Sequence, residues 1–334
     1  MAAAHSAATG KPLVERETKL VQMGRRRAEE HGTPEAATYF EGIWGVGLFQ
    51  RGRWREALGM LDRSDREGMR GLAGSSIARV YAVLALLYMG DLKEMTKRTN
   101  SLREIARDRG DLYTLVTLDT TAGAKASLAA DDPGGALRSL RDSLTQWPKT
   151  EFFVQHWMAM IYETEIELYV GDGDRAYQRT VRDRAALRKS FLLSSAMIRV
   201  LTFFARGRAA IASIESNPEL RQNRIAEARL MARRLAREYA PWAGALAFMV
   251  TGMAENAAGN RAAAVDALQS GVEAATATDT ILYAVPARHR LGELLGGDEG
   301  MKLVQTALDA MAAQDIQNPA RWLALHMPGK RWSR

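Results

Sequence analysis

Four groups of residues have types and spacings that could do chemistry. The run Glu41-Gly42-Ile43-Trp44-Gly45-Val46-Gly47 has the glycines of a phosphate-binding loop. Such a loop follows a strand and opens a helix, so that backbone N–H groups face the phosphate. Here the glycines lie inside a run with helical period, and close helix packing over small residues is expected instead. The chain has no GxxxxGK[ST], HRD or DFG, so phosphoryl transfer by these residues is not expected. The acidic turns Asp172/Asp174 and Asp298/Glu299 could meet a hard cation, but two carboxylates fall short of a calcium site and helix capping explains them.

Histidines are the third group. His5, His31, His156, His289 and His326 are too scattered to give a metal spacing. No Ser, His and Asp arrangement points to nucleophilic catalysis. No catalytic residue, metal or cofactor is therefore expected, and the chain is read as not an enzyme.

The fourth group is polar and aromatic: Arg79, Asp119, Lys125, Gln155, Glu163, Glu167, Arg199, Glu255 and Arg288, with Trp157, Tyr162 and Tyr283 nearby. These fall on the first helices of successive hairpins, which line the concave face of a helical stack. Arg, Tyr and Trp carry much of the energy of protein interfaces, so such a groove could clamp a peptide. The competing expectation is that the same groups pair with one another between adjacent helices.

Those hairpins can be read from Leu128 to Thr180. Asp131-Asp132-Pro133 sets an acidic cap before a proline with no N–H to orphan. Ala136, Leu137, Leu140 and Leu144 follow as one apolar stripe. Trp147-Pro148-Lys149-Thr150 stops that helix. From about Glu151 a second helix carries Phe153, Trp157, Ile161 and Leu168 on one side, with Phe152, His156 and Met160 beside them. So wide an apolar face suits a helix packed between neighbours. Gly171-Asp172-Gly173-Asp174 ends it and caps the next.

The same wording recurs along the chain. Residues 13–31 read as the second helix of a hairpin whose first helix is missing. Pairs then follow from Thr33-Pro34-Glu35, from SSIARVYAVLALLYM, from DLYTLVTLDTTAGAKASLAA as one helix, from EFFVQHWMAM, from FLLSSAMIRV, from Pro241-Trp242 and from near Ile281. A short helix after Asn318-Pro319 ends at Pro328-Gly329. The turns at Gly52, Gly90, Asp131 and Gly171 lie 38, 41 and 40 residues apart, and Gly259 to Gly296 is 37. A tetratricopeptide unit has ~34 residues and a HEAT-like one about 40–47, so long tetratricopeptide-like helices are expected. No stretch alternates with period two and β-branched enrichment, and essentially no sheet is expected.

Composition agrees with a packed domain. The 334 residues are 47% hydrophobic and 25% charged, enough to bury a large core. There is no cysteine, which excludes disulfides and thiolate metal sites and points to a reducing compartment. MAAAHSAATG has no basic region leading into an apolar core, and charges break every apolar stretch before the ~20 residues of a membrane span. A cytoplasmic chain is expected. The net charge of +7 is spread thinly. Arg25-Arg26-Arg27, Arg206/Arg208 and Arg233-Arg234 are expected to be solvated faces, so a nucleic-acid partner is not.

Two sets of segments carry a family likeness. One is RGDLY (109–113), ADDPGGAL (130–137), FFVQHWMAM (152–160), ELYVGDGDRAY (167–177) and PWAGALA (241–247). The other is LYAVPARHRLGELLGGDEG (282–300) with MAAQDIQNPARWLALHMPG (311–329). Together they resemble the C-terminal repeat region of large bacterial serine/threonine protein kinases, where a kinase domain and an ATPase-like module precede a tetratricopeptide-like tail. The likeness runs from about residue 13 and is most specific at the end. It implies a helical-repeat region that senses or docks partners, and no catalytic residue carries over. The absent helix before Leu13 suggests the tail of a longer protein or a stand-alone relative.

The expectation is thus an all-α, tetratricopeptide-like α-solenoid of about seven antiparallel hairpins in a right-handed superhelix. Residues 1–12 would be a disordered segment, 13–329 one helical-repeat domain and 330–334 a tail. It would bind a protein or peptide partner through a groove of Arg79, Asp119, Gln155, Trp157, Tyr162, Glu163, Arg199, Glu255, Tyr283 and Arg288, as a regulatory or sensor region of a bacterial signalling protein. The alternative is a ligand-gated regulator that encloses a small molecule or nucleotide, with a pocket lined by Trp157, Tyr162 and Arg199.

Overall fold

Glycine and aspartate punctuate the chain as the turn spacings predict. Gly52, Gly90, Gly110, Gly171 and Gly259 all take positive φ at helix ends, where a residue without Cβ avoids the left-handed penalty. Asp91, Asp111, Asp132 and Asp172 then cap the next helix, accepting the N–H groups of Glu94, Thr114, Gly135 and Arg175. The resulting computed structural model describes residues 11–32, 34–67, 73–330 and 332.

Among the described residues the chain is all helical, with no strand. In order the helices are α1 (Lys11–Glu30), α2 (Pro34–Gln50), α3 (Trp54–Glu67), α4 (Ala73–Tyr88), α5 (Leu92–Arg109), α6 (Leu112–Asp119), α7 (Ala122–Ala129), α8 (Pro133–Thr145) and α9 (Val154–Tyr169). After them come α10 (Gly173–Arg182), α11 (Arg184–Lys189), α12 (Ala196–Ala212), α13 (Arg221–Leu235), α14 (Pro241–Ala258), α15 (Arg261–Ala277), α16 (Ile281–Leu295), α17 (Gly297–Ala313) and α18 (Pro319–His326). Neighbours pack in pairs, most extensively α2 on α3, α14 on α15 and α16 on α17. Gly45, in the glycine-rich run, lets Leu61 approach within 2.8 Å of where a Cβ would stand. That run is a helix contact, as expected.

Three helices depart from expectation. The single helix read over 111–130 is broken at Thr120-Thr121, whose hydroxyls turn back onto the carbonyls of Val116 and Thr117 at 2.6 and 2.5 Å. Two such back-bonds in succession bend a helix. The fourth pair begins at Val154 rather than Glu151, because His156 Nδ1 accepts the Phe153 N–H at 3.0 Å and fixes the start there. The fifth begins at Ala196, after a left-handed Phe191 and a 3-10 turn over Leu192–Ser194. At the ends, helix α1 already starts at Lys11, residues 1–10 lie outside the described residues, and Trp332 is buried.

The path closes on itself. Trp54 Nε1 donates to Thr280 Oγ1 at 3.2 Å, Arg55 pairs with Asp279 at 2.7 Å, and Lys93 with Asp315 at 3.1 Å. Trp54 stacks on Tyr88 with ring centres 4.5 Å apart and meets Trp242 edge-on at 5.4 Å. Gly52 makes the seam possible, since a Cβ there would collide with the Trp242 ring. Helix α18 lies inside the closure against α9 and α16, and one hydrophobic cluster runs from Leu48 to Trp332.

Candidate functional site

The first helices of the hairpins turn inward, and their side chains form two adjoining regions. One is a buried charge cluster. Lys125 Nζ donates to Glu165 Oε2 at 2.5 Å, and Arg208 donates to Glu165 Oε1 at 3.0 Å and to the Leu325 carbonyl at 3.1 Å. All three side chains are at most 3% exposed. Aromatic faces supply further partners: Lys125 Nζ stands 5.7 Å from the Tyr162 ring centre and 5.4 Å from that of Trp322.

Two cations share one carboxylate, and the titration of each group reflects it. Burial lowers the Lys125 pKa, Glu165 opposes the shift and Arg208 adds to it. Burial would raise the Glu165 carboxyl, but Lys125 and Arg208 outweigh that and hold it below the usual range. His326, fully buried on α18, is kept neutral well below its ordinary pKa by burial and then by the same two cations. The cluster therefore holds α18 through Arg208 on its backbone and through Trp322 over Lys125.

The second region is a cleft opening beside the cluster. Phe49 and Gln50 from α2, Tyr81 and Tyr88 from α4, Tyr113 from α6 and Trp157 and Tyr162 from α9 wall it, and α12 closes it with Met197, Ile198 and Leu201. The void within is about 90 Å3. Ile77 and Tyr113 at its mouth are 43% and 40% exposed. Among the described residues no Asp, Glu, Lys, Arg or His lines it. Burial raises its tyrosines, Tyr81 to about 12 and Tyr88 and Tyr162 well above the usual value, so the walls are uncharged. The Gln50 Oε1 is buried with no hydrogen-bond partner, while the amide's other end reaches Tyr81 only at 3.5 Å.

The residues expected in a groove are distributed over several places. Trp157 and Tyr162 line the cleft, and Trp157 Nε1 is held by Thr202 Oγ1 at 2.9 Å. Tyr283 is buried edge-on to Phe204 at 5.0 Å and to His326 at 5.4 Å. Arg79 pairs with Asp65 at 2.7 Å, Asp119 with Arg103 and Ser143, Glu163 with Arg141 and Arg179, and Glu255 with Arg229 at 2.7 Å. Arg199 holds Glu238 through two bonds of 2.8 Å and does not line the cleft. Gln155 is buried, and Arg288 is half-buried. The competing expectation of ion pairs between helices describes most of the charged members.

Arg208, grouped with Arg206 on an expected solvated face, is instead 1% exposed. Its setting FFARGRAAIA is apolar on both sides, and that was the available signal. Glu165 was not singled out, since EIELY reads as an ordinary acidic helix. Asp131 does more than precede a cap: its carboxylate takes Tyr169 Oη at 2.8 Å, Asn318 Nδ2 at 3.1 Å and Arg321 at 3.0 Å. Among the described residues no helix is long and apolar enough to cross a membrane. Set against known proteins, the chain matches no protein-family model, and no curated protein matches it either.

Proposed function

We propose that the chain is a non-catalytic, ligand-gated regulator built as a tetratricopeptide-like solenoid of about seven hairpins in a right-handed superhelix. The observation that carries this reading is the uncharged aromatic cleft at the inner face, walled by four successive first helices and α12. Largely apolar concave sites with a few polar groups are the usual places for small ligands. Because α2, α4, α6, α9 and α12 all contribute, a ligand would tie together hairpins distant in sequence. It would stiffen the stack that a signalling partner reads, in keeping with the likeness to kinase tails.

Hydrogen exchange on the chain, with and without a small-molecule extract of the source cells, tests it. A ligand should raise the melting temperature and slow exchange in α2, α4, α9 and α12, since binding only the folded state stabilises that state. An extract that changes neither sinks the reading.

One observation favours a second reading, a scaffold that docks a protein. Phe191 is 85% exposed and holds a left-handed φ of 58°, a costly way to present a bulky ring to solvent. A photo-crosslinking phenylalanine at position 191 should then capture one specific protein in cells. A diffuse smear of adducts counts against it.

A further inference from the structure

We infer that the cleft takes a small, uncharged aromatic ring carrying one hydroxyl or ring N–H, seated among Tyr81, Tyr113 and Trp157 with its polar group on the Gln50 side-chain amide. This inference rests on the ligand-gated reading and narrows its ligand class. Three observations carry it.

The first is size. The void is about 90 Å3, and an engineered apolar cavity of ~150 Å3 takes benzene. The void is smaller than that, so a single ring is the upper limit of the site, and it needs the exposed Ile77 and Tyr113 to give way at the mouth. The second is charge. Among the described residues no ionised group lines the walls, so a charged ligand would lose its hydration with nothing there to replace it. Lys125, Glu165 and Arg208, which act on the lining Tyr162, are already engaged with one another. The third is the amide. Gln50 lines the cleft and its Oε1 is buried without a partner, so a ligand reaches that end of the amide only if the side chain turns about its last bond. A buried unsatisfied acceptor favours any ligand that supplies a hydrogen. Exchanging the amide's oxygen and nitrogen would leave an orphaned donor instead, and a hydroxyl serves either.

Flat walls add shape selectivity. Tyr81, Tyr113 and Trp157 offer ring faces and edges to a planar guest, and Met158 and Met197 adapt around it.

The test uses the full chain with phenol, toluene and benzoate, which share one ring and differ in donor and charge. Saturation-transfer NMR and melting shifts would rank them. Phenol should bind about ten-fold more tightly than toluene, the worth of one satisfied hydrogen bond, and benzoate should fail to displace it. Gln50→Leu should bring the phenol-to-toluene ratio to about one while toluene still binds. Ile77→Trp, at the half-exposed mouth, should abolish all binding without disturbing the core. Benzoate binding as tightly as phenol, or a phenol preference that survives Gln50→Leu, overturns the ligand class and leaves the ligand-gated reading standing. Binding that survives Ile77→Trp moves the site elsewhere and overturns the inference. If none of the three binds while a cell extract still protects the cleft from exchange, the ligand is of another class and the inference fails alone. If neither probes nor extract act there, both fall together.

Discussion

Trp54 and Thr280 are 226 residues apart in sequence, yet the indole N–H of one donates to the hydroxyl of the other at 3.2 Å. Both are fully buried. Around this bond Tyr88, Trp242 and Tyr283 form a continuous aromatic seam. Trp54→Ala should cost about 3–5 kcal/mol, as for other large-to-small changes in cores. Trp54→Phe, which keeps one ring but loses the other and the hydrogen bond, should cost less, about 1–3 kcal/mol. Urea denaturation of the two variants measures both.

The charge cluster gives a sharper test. Glu165→Gln leaves Lys125 and Arg208 buried without their shared carboxylate and should destabilise by about 3–5 kcal/mol. Adding Lys125→Met to that variant should restore part of the loss, because one unpaired charge goes with it. A double-mutant cycle in urea would show coupling between the two sites; strict additivity would contradict the shared-carboxylate geometry.

Stability should fall on the acid side of neutrality. His326 faces Lys125 and Arg208, which depress its pKa, with Tyr283 and Trp322 on its flanks. The native state keeps it neutral while the unfolded chain takes up a proton below about pH 6.5, so the unfolded state binds more protons there. The loss should be about 1.4 kcal/mol per pH unit for this one group. His156, whose pKa is also lowered, by burial and then by Lys149, adds a smaller slope. Denaturation series at pH 7 and pH 5.5 on His326→Gln should show most of the slope gone.

Asp131 ties α18 to the loop before α8 through Asn318 and Arg321. Asp131→Ala should speed amide exchange in α18 selectively, leaving α14 and α15 unchanged. Equal acceleration everywhere would mean that the contact has no local role.

How much of this could be read beforehand follows from locality. The caps at Asp91, Asp132 and Asp172 and the turns at Gly52, Gly90 and Gly171 are local chemistry, and they appear where the spacing puts them. Trp157 and Tyr162 were recognised as inward-facing because a helix period assigns a face. The same logic assigns Arg199 to the pocket, but Glu238, just past the second helix of its own hairpin, claims it. Lys125, Glu165 and Arg208 come from three separate hairpins, so no window of sequence shows their meeting. The break at Thr120-Thr121 lies inside the expected single helix; its signal, two threonines in succession that turn back onto the preceding turn, is local.

The seam at Trp54 also changes what kind of object the stack is. In an open array each unit leans only on its neighbours, stability is a near-sum along a line, and the terminal units fray first. Joining α3 to α14 and α16 gives the array no free end across that span. Loss of any one hairpin then strains the closure of all the others, so unfolding becomes collective. The same junction must wait until two regions more than 200 positions apart meet, a long-range step that slows folding. A linear spring has become a hoop, slow to assemble and reluctant to come apart in pieces.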